Sequence, residues 1–232
     1  MRCVGRVLLG LGLALLSAGH VRPTGAAGPE GVVGRILLVT APAEVVGLGA
    51  GAVSPARPEE VLRAGDRIRT GRGGHVDFRL EPGILLRVRE ESTLDLRAAG
   101  GQRPGGTVLG LPVGAVLLAV AGQARGHPLR IETPTVTGAV RGTEFGVSFR
   151  GERAVVGVKS GSVEVFYPSA PGQAVLCTAG TQTTALAGQV PAPPVPVTEF
   201  WAALLREIAD IGRRPPVPAG TPDYVGPPRR QY

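Results

Sequence analysis

Val140-Arg141-Gly142-Thr143-Glu144-Phe145 runs on into Gly146-Val147-Ser148-Phe149, and the alternation within it decides the fold. Phe145, Val147 and Phe149 fall on one side of an extended chain and Glu144 and Ser148 on the other, the pattern of a half-buried strand. The next two runs repeat it, with Val156 and Val158, then Val163, Val165 and Tyr167, set against Lys159 and Glu164. Arg150-Gly151-Glu152-Arg153 and Ser160-Gly161 separate these runs and read as hairpin turns, because glycine accepts the positive φ of tight connections. Three strands in succession predict an all-β domain.

The same signal continues upstream. Strands are expected at Val32 to Val39, Glu44 to Leu48, Asp66 to Thr70, His75 to Leu80, Ile84 to Val88 and Thr93 to Arg97. After a glycine-rich break from Ala98 to Gly106 come Thr107 to Leu111, Val113 to Val120 and Leu129 to Glu132, with further runs near 174 and 181. Val113 to Val120 is apolar on both faces, as in a central strand covered on both sides. Short strands divided by glycine turns predict either a sandwich or a twisted β-solenoid-like stack of antiparallel strands, and the pattern alone does not separate the two.

The two ends differ from this middle. Arg2 and Arg6 precede an apolar run from Val7 to Leu16, and Gly25-Ala26-Ala27 offers a cleavage site, so residues 1–27 read as a secretory signal peptide. No segment approaches the roughly 20 apolar residues of a membrane span, and a periplasmic or secreted protein is expected. Losing Arg2, Arg6 and Arg22 takes the formal charge from +7 to +4. Cleavage also leaves Cys177 as the one thiol, expected to be a buried small hydrophobe. At the other end, Pro191, Pro193, Pro194 and Pro196 mark a stiff, extended linker over 188–197, which closes a β domain of residues 28–187. Thr198 caps an amphipathic helix over 198–212, with Phe200, Leu204, Ile208 and Ile211 as its stripe and Trp201 and Leu205 widening it, expected to pack back on the β domain. Residues 213–232, rich in Pro and Arg, read as a disordered tail.

Several chemistries find no support in the residues. Between 57 and 97 nine Arg alternate with eight acids, so the concentrated basic face of a nucleic-acid binder is missing. His75 and His127 stand far apart without ligand spacing and read as surface residues, which leaves no expected metal site. No serine sits in a nucleophile elbow, and Asp77, Glu81, Glu90, Glu91 and Asp95 read as strand faces and turns. Gly71-Arg72-Gly73-Gly74 lacks a following helix and reads as a turn, not a phosphate loop. No catalytic residue and no cofactor is expected.

Read together, Glu132-Thr133-Pro134, Arg141-Gly142-Thr143-Glu144-Phe145, and Val155 to Val165 with Gly161 in the turn resemble the FecR domain family. Gly65-Asp66-Arg67-Ile68-Arg69-Thr70-Gly71 matches a further family segment in the right order, and the resemblance covers about residues 31 to 187. It implies a solenoid-like stack of short strands, in which Gly65, Asp66, Thr70, Gly71, Gly142, Thr143, Phe145 and Gly161 are structural. Family regulators join such an exported domain to a membrane helix and a cytoplasmic region acting on a sigma factor. The expectation here is the exported domain without those parts, a non-enzymatic interaction module binding another envelope protein through an exposed strand edge. Arg141 and Glu144 are the candidate partner contacts: the forked guanidinium of Arg141 suits an anionic group, while the plainer role of Arg141 is to set the turn into the strand. The alternative is a domain for envelope glycans or other polyanions. Against it, the few aromatics between 28 and 187, Phe78, Phe145, Phe149, Phe166 and Tyr167, fall mostly at strand positions.

Overall fold

A computed structural model describes residues 34–48, 51–80, 83–98, 106–120 and 128–213. The signal peptide, His127 and the tail beyond residue 213 lie outside the described residues, as does the side chain of Arg141. The expected runs are extended, with Thr107 to Leu111 and Val113 to Val120 joined in one strand and Val32 and Val33 outside the described residues, and the strands join into one fifteen-stranded sheet folded into two layers. In chain order the strands are β1 (Gly34–Thr40), β2 (Ala43–Val46), β3 (Val53–Pro55), β4 (Val61–Leu62), β5 (Arg67–Thr70), β6 (His75–Leu80), β7 (Ile84–Val88) and β8 (Ser92–Ala98). They continue as β9 (Thr107–Val120), β10 (Leu129–Glu132), β11 (Thr137–Arg150), β12 (Arg153–Tyr167), β13 (Ala170–Thr178), β14 (Thr181–Leu186) and β15 (Val195–Pro196), followed by helix α1 (Glu199–Arg206) and a 3-10 turn, Glu207–Asp210.

Two expectations need correction. The strands are not all short, since β9 and β11 have 14 residues and β12 has 15. Nor are they all antiparallel, because β10 runs parallel to β9. Both departures have one cause: β9, β11 and β12 each serve both layers. The second half of β9 pairs with β7 and β11, while its first half pairs with β8 and β10. The first half of β12 lies between β11 and β14, and its second half between β11 and β13. One layer therefore runs β4-β1-β6-β7-β9-β11-β12-β14-β15 and the other β3-β2-β5-β8-β9-β10-β11-β12-β13.

A strand that changes layers must bend, and each of the three bends at a glycine of positive φ: Gly114 (φ 105°), Gly142 (φ 59°) and Gly161 (φ 79°). Ser160-Gly161 is thus a crease inside one strand and not the hairpin turn that its composition predicted. At the crease β11 slips register between Arg141 and Glu144. The Thr143 hydroxyl donates to the Ser162 carbonyl at 2.9 Å. A Cβ added to Gly161 would meet the Gly142 carbonyl oxygen at 2.9 Å and Thr143 Oγ1 at 3.0 Å. In β9 the crease rests on buried Ser92, whose Oγ accepts from the Ala115 N–H at 2.9 Å, while Thr70 Oγ1 accepts from the Ser92 N–H at 3.1 Å.

The other motif residues make local turn and backbone contacts. Gly65 turns with φ 96°, and Asp66 accepts from the Arg63 N–H at 2.7 Å to close that turn. The Gly71 N–H donates to the Pro42 carbonyl at 2.9 Å. Thr133 Oγ1 accepts from the N–H groups of Thr135 and Val136 and shapes the turn between β10 and β11. Both layers turn their apolar sides inward to one core that includes Ile36, Phe78, Leu86, Leu96, Leu109, Phe145, Val156, Val163 and Cys177. Each such Phe or Leu contributes about 1.5–3 kcal/mol by burial. Cys177 is fully buried, as expected, and burial pushes its thiol pKa up.

Gly180 has a φ of 76° like Gly161 but open space around it. Gly180→Ala should cost only the backbone penalty of about 1–2 kcal/mol, while Gly161→Ala adds a collision with the crease of β11. Urea denaturation should show a distinctly larger fall in midpoint for Gly161→Ala, and equal falls would refute the crease.

Candidate interaction surface

Strand pairing places six residues in one row across the outer side of the first layer: Asp77, Arg87, Leu117, Gly146, Gly157 and Gln182. Five interstrand steps make this row about 24 Å long. The helical segment from Thr198 to Gly212 is about 21 Å long, and it lies along the row with contacts at both ends. At one end Gln182 Oε1 accepts from the Thr198 N–H at 3.0 Å, and Thr198 caps α1 by accepting from the Trp201 N–H at 3.4 Å. In the middle Trp201 fills the slot left by two glycines, for a Cβ at Gly146 or Gly157 would come within 2.9 or 2.8 Å of its ring. Leu204, Leu205, Ile208 and Ile211 complete a second apolar cluster with Leu117, and Leu85, Ala119 and Val155 pack against it.

The far end is polar. Asp77 is fully buried, receives Arg87 Nε and Nη2 at 2.7 and 2.8 Å, and accepts the Gly212 N–H at 2.7 Å. Arg87 also donates to the Asp210 carbonyl at 3.2 Å, and Arg89 reaches Glu207 at 3.5 Å. The hydrogen bond to Asp77 raises the Arg87 pKa. Next to this clamp His75, half-buried, has its pKa lowered by burial first and then by Arg87, with Asp77 and Glu207 opposing and Arg89 assisting.

The helix therefore packs on the β domain as expected, with one correction to its stripe. Phe200 is 69% exposed, because the face centred on Trp201, Leu205 and Ile208 leaves it beyond the edge in the first turn. Gly146, Gly157, Gln182 and the Asp77–Arg87 pair carry the docking and were missed in the sequence. A signal for the pair exists, since a hairpin matching Leu80 with Ile84 must also match Asp77 with Arg87.

Of the two candidate contacts, Glu144 lies on β11 with its carboxylate 2.8 Å from Lys159 Nζ. The Arg141 backbone pairs with Ser162 at the crease. Among the described residues no helix packs on the outer side of the second layer. There Asp95 bridges Arg67 and Arg97, and Arg97 reaches Glu132 at 3.1 Å. Asp95, first by its hydrogen bond, raises the Arg67 pKa. Arg130, Ala139, Glu164 and Leu176 form one row across β10, β11, β12 and β13, with Arg130 and Glu164 exposed and Leu176 59% exposed. Among the described residues no three His, Cys, Asp or Glu gather to hold a metal, and no helix is long and apolar enough to cross a membrane.

Two measurements check this arrangement. Trp201 is the chain's one tryptophan, so its fluorescence reports the helix. Gly157→Leu should shift its emission to the red with the β domain still folded, and Trp201→Ala should cost about 3–5 kcal/mol; an unshifted emission would refute the slot. The His75 ring is favoured neutral in the folded state, so the unfolded chain binds the proton first as pH falls through about 6.5. Stability should drop from pH 7 toward 5.5, and His75→Asn should flatten that part of the profile.

Residues 66–164 match the family model described as FecR protein. Two crystal structures of a Parabacteroides distasonis protein provisionally described as an anti-sigma factor resemble the chain with TM-scores of 0.49 and 0.47, at 17% and 18% identity. The matches cover 61% of this chain and 64% and 63% of those chains, so it spans just under two thirds of their length. No curated protein sequence matches the chain.

Proposed function

We propose that this chain, whose residues 66–164 match the FecR family model, is a non-enzymatic, extracytoplasmic interaction module of a signalling system that binds another envelope protein. The match to that family model supports a signalling-related regulatory role with protein partners over catalysis. Export to the periplasm or beyond is supported by the basic, apolar and small-residue sequence of residues 1–27.

The observation that carries the reading is the contrast between the two outer sides. One is apolar and occupied by the chain's own helix. The other carries a mixed set of charges, among them Arg67, Asp95, Arg97, Arg130, Glu132 and Glu164, and no helix among the described residues. Charges of both signs on a flat sheet select a complementary protein surface and repel mismatched ones. A glycan platform would present aromatic rings, whereas Phe78, Phe145 and Phe149 are buried and Phe166 and Tyr167 half-buried.

The test is affinity capture from an envelope extract of the native host, using the wild-type protein and an Arg130→Glu, Glu164→Arg double variant. Wild type should retain a defined protein that the variant loses while melting at the same temperature. Retention of glycan without protein would overturn the reading, as would retention unchanged by the charge reversal.

A further inference from the structure

The sheet has few ends left open, and they are unequal. β4 has two residues and β3 three, the last of them Pro55. Beside β4, the Ile36 N–H and carbonyl are taken by the backbone of Glu60 and Glu59. β14 is sealed by the proline-rich strip: β15 pairs with Thr181 and Gln182, and the Ala192 N–H donates to the Thr184 carbonyl at 2.9 Å. Prolines make this strip a poor template for any further strand. β13, by contrast, pairs only with β12 among the described strands, in register from Val175 to Thr178, with its guards, Pro171 and a register slip, before Val175. It contains no Asp, Glu, Lys or Arg, although charges on edge strands are a usual guard against pairing.

We propose that β13 is a self-association edge, pairing antiparallel with β13 of a second copy about a two-fold axis through Val175. The occupant follows from the residues. In an isologous pair each side chain meets its own kind or its neighbour, so any charge would face a like charge, and this strand carries none. With the axis at Val175, half-buried Val175 stands opposite Val175 of the second copy, a β-branched pair. On the outer side Leu176, 59% exposed, stands opposite exposed Ala174 of the second copy, large against small, twice over. The nearest acid, Glu164 on β12, is opposite Leu176 in its own chain. The two copies of Glu164 would lie roughly 16 Å apart, beyond the ~8–10 Å screening length of physiological salt. At the strand's end the Thr178 N–H is already held by Thr181 Oγ1 at 3.0 Å, which confines the pairing to about Gln173 to Cys177.

Light scattering and sedimentation of the purified protein over a concentration series test this. Wild type should double its mass as concentration rises. Leu176→Glu should abolish the doubling without changing the melting temperature, and Ala174→Lys combined with Leu176→Glu should restore it by setting Lys against Glu across the axis. Hydrogen exchange gives a reading that needs no variant: the amides of Ala174 and Leu176, which face the open edge as that of Thr178 does, should slow as concentration rises. A wild type monomeric throughout, a dimer indifferent to Leu176→Glu, a double variant that stays monomeric, or exchange in β13 independent of concentration would each overturn the proposal. A monomer that still captured its envelope protein would leave the partner reading standing.

Discussion

Three adjacent strands change layers side by side, and the rest of the structure depends on the crease this creates. Extended backbone with side chains at every position resists so sharp a bend, so each strand carries a glycine of positive φ there. Two of the three are directly coupled, because the space above Gly161 is filled by Gly142 and Thr143 of the neighbouring strand. Bending breaks ladder hydrogen bonds, and short hydroxyl side chains make up the deficit at Ser92, Thr143 and Thr70. Within the Arg-Gly-Thr signature, Gly142 serves the bend and Thr143 the freed carbonyl, and Phe145 then re-enters the core.

The crease also gives each long strand two different outsides. Gly157 of β12 faces Trp201, while Glu164 of the same strand faces outward on the open layer. In β9, Leu117 packs under the helix and Leu118 in the core, so its second half is apolar on both faces. One helix can cover one layer only, and the glycine pair Gly146–Gly157 directs it there. Opposed glycines leave a gap in the sheet surface, and a large aromatic laid over them recovers the buried area that their missing side chains forfeit.

Much of this was legible because period-two alternation is a local property. His75–Leu80, Ile84–Val88 and Leu129–Glu132 fall where the sequence set them. The crease was not legible, since a glycine beside a serine looks the same locally whether the chain reverses or merely bends; only the partners of β12 on both sides distinguish the two. Asp77 was misread for a related reason. Its alternation places it outward correctly, but outward here means beneath the C-terminal helix, a contact 135 residues away in sequence. Phe200 failed in the opposite direction, as helical periodicity fixes the width of an apolar stripe better than its edge.

Charge is used differently on the two sides, and the difference bears on where recognition can occur. The Asp77–Arg87 pair is desolvated and fully satisfied, with a third donor from Gly212. Breaking such a pair strands a buried charge at a cost of roughly 3–5 kcal/mol, so that side tolerates little exchange of partners. The Arg67–Asp95–Arg97–Glu132 ladder is half exposed, and pairs of that kind contribute about 0.2–1 kcal/mol each. Such pairs can be traded for contacts with another protein at small expense to the fold. A surface that can be rewritten while the core beneath it stays fixed suits the partner surface proposed above, and the outer side of the second layer has that property.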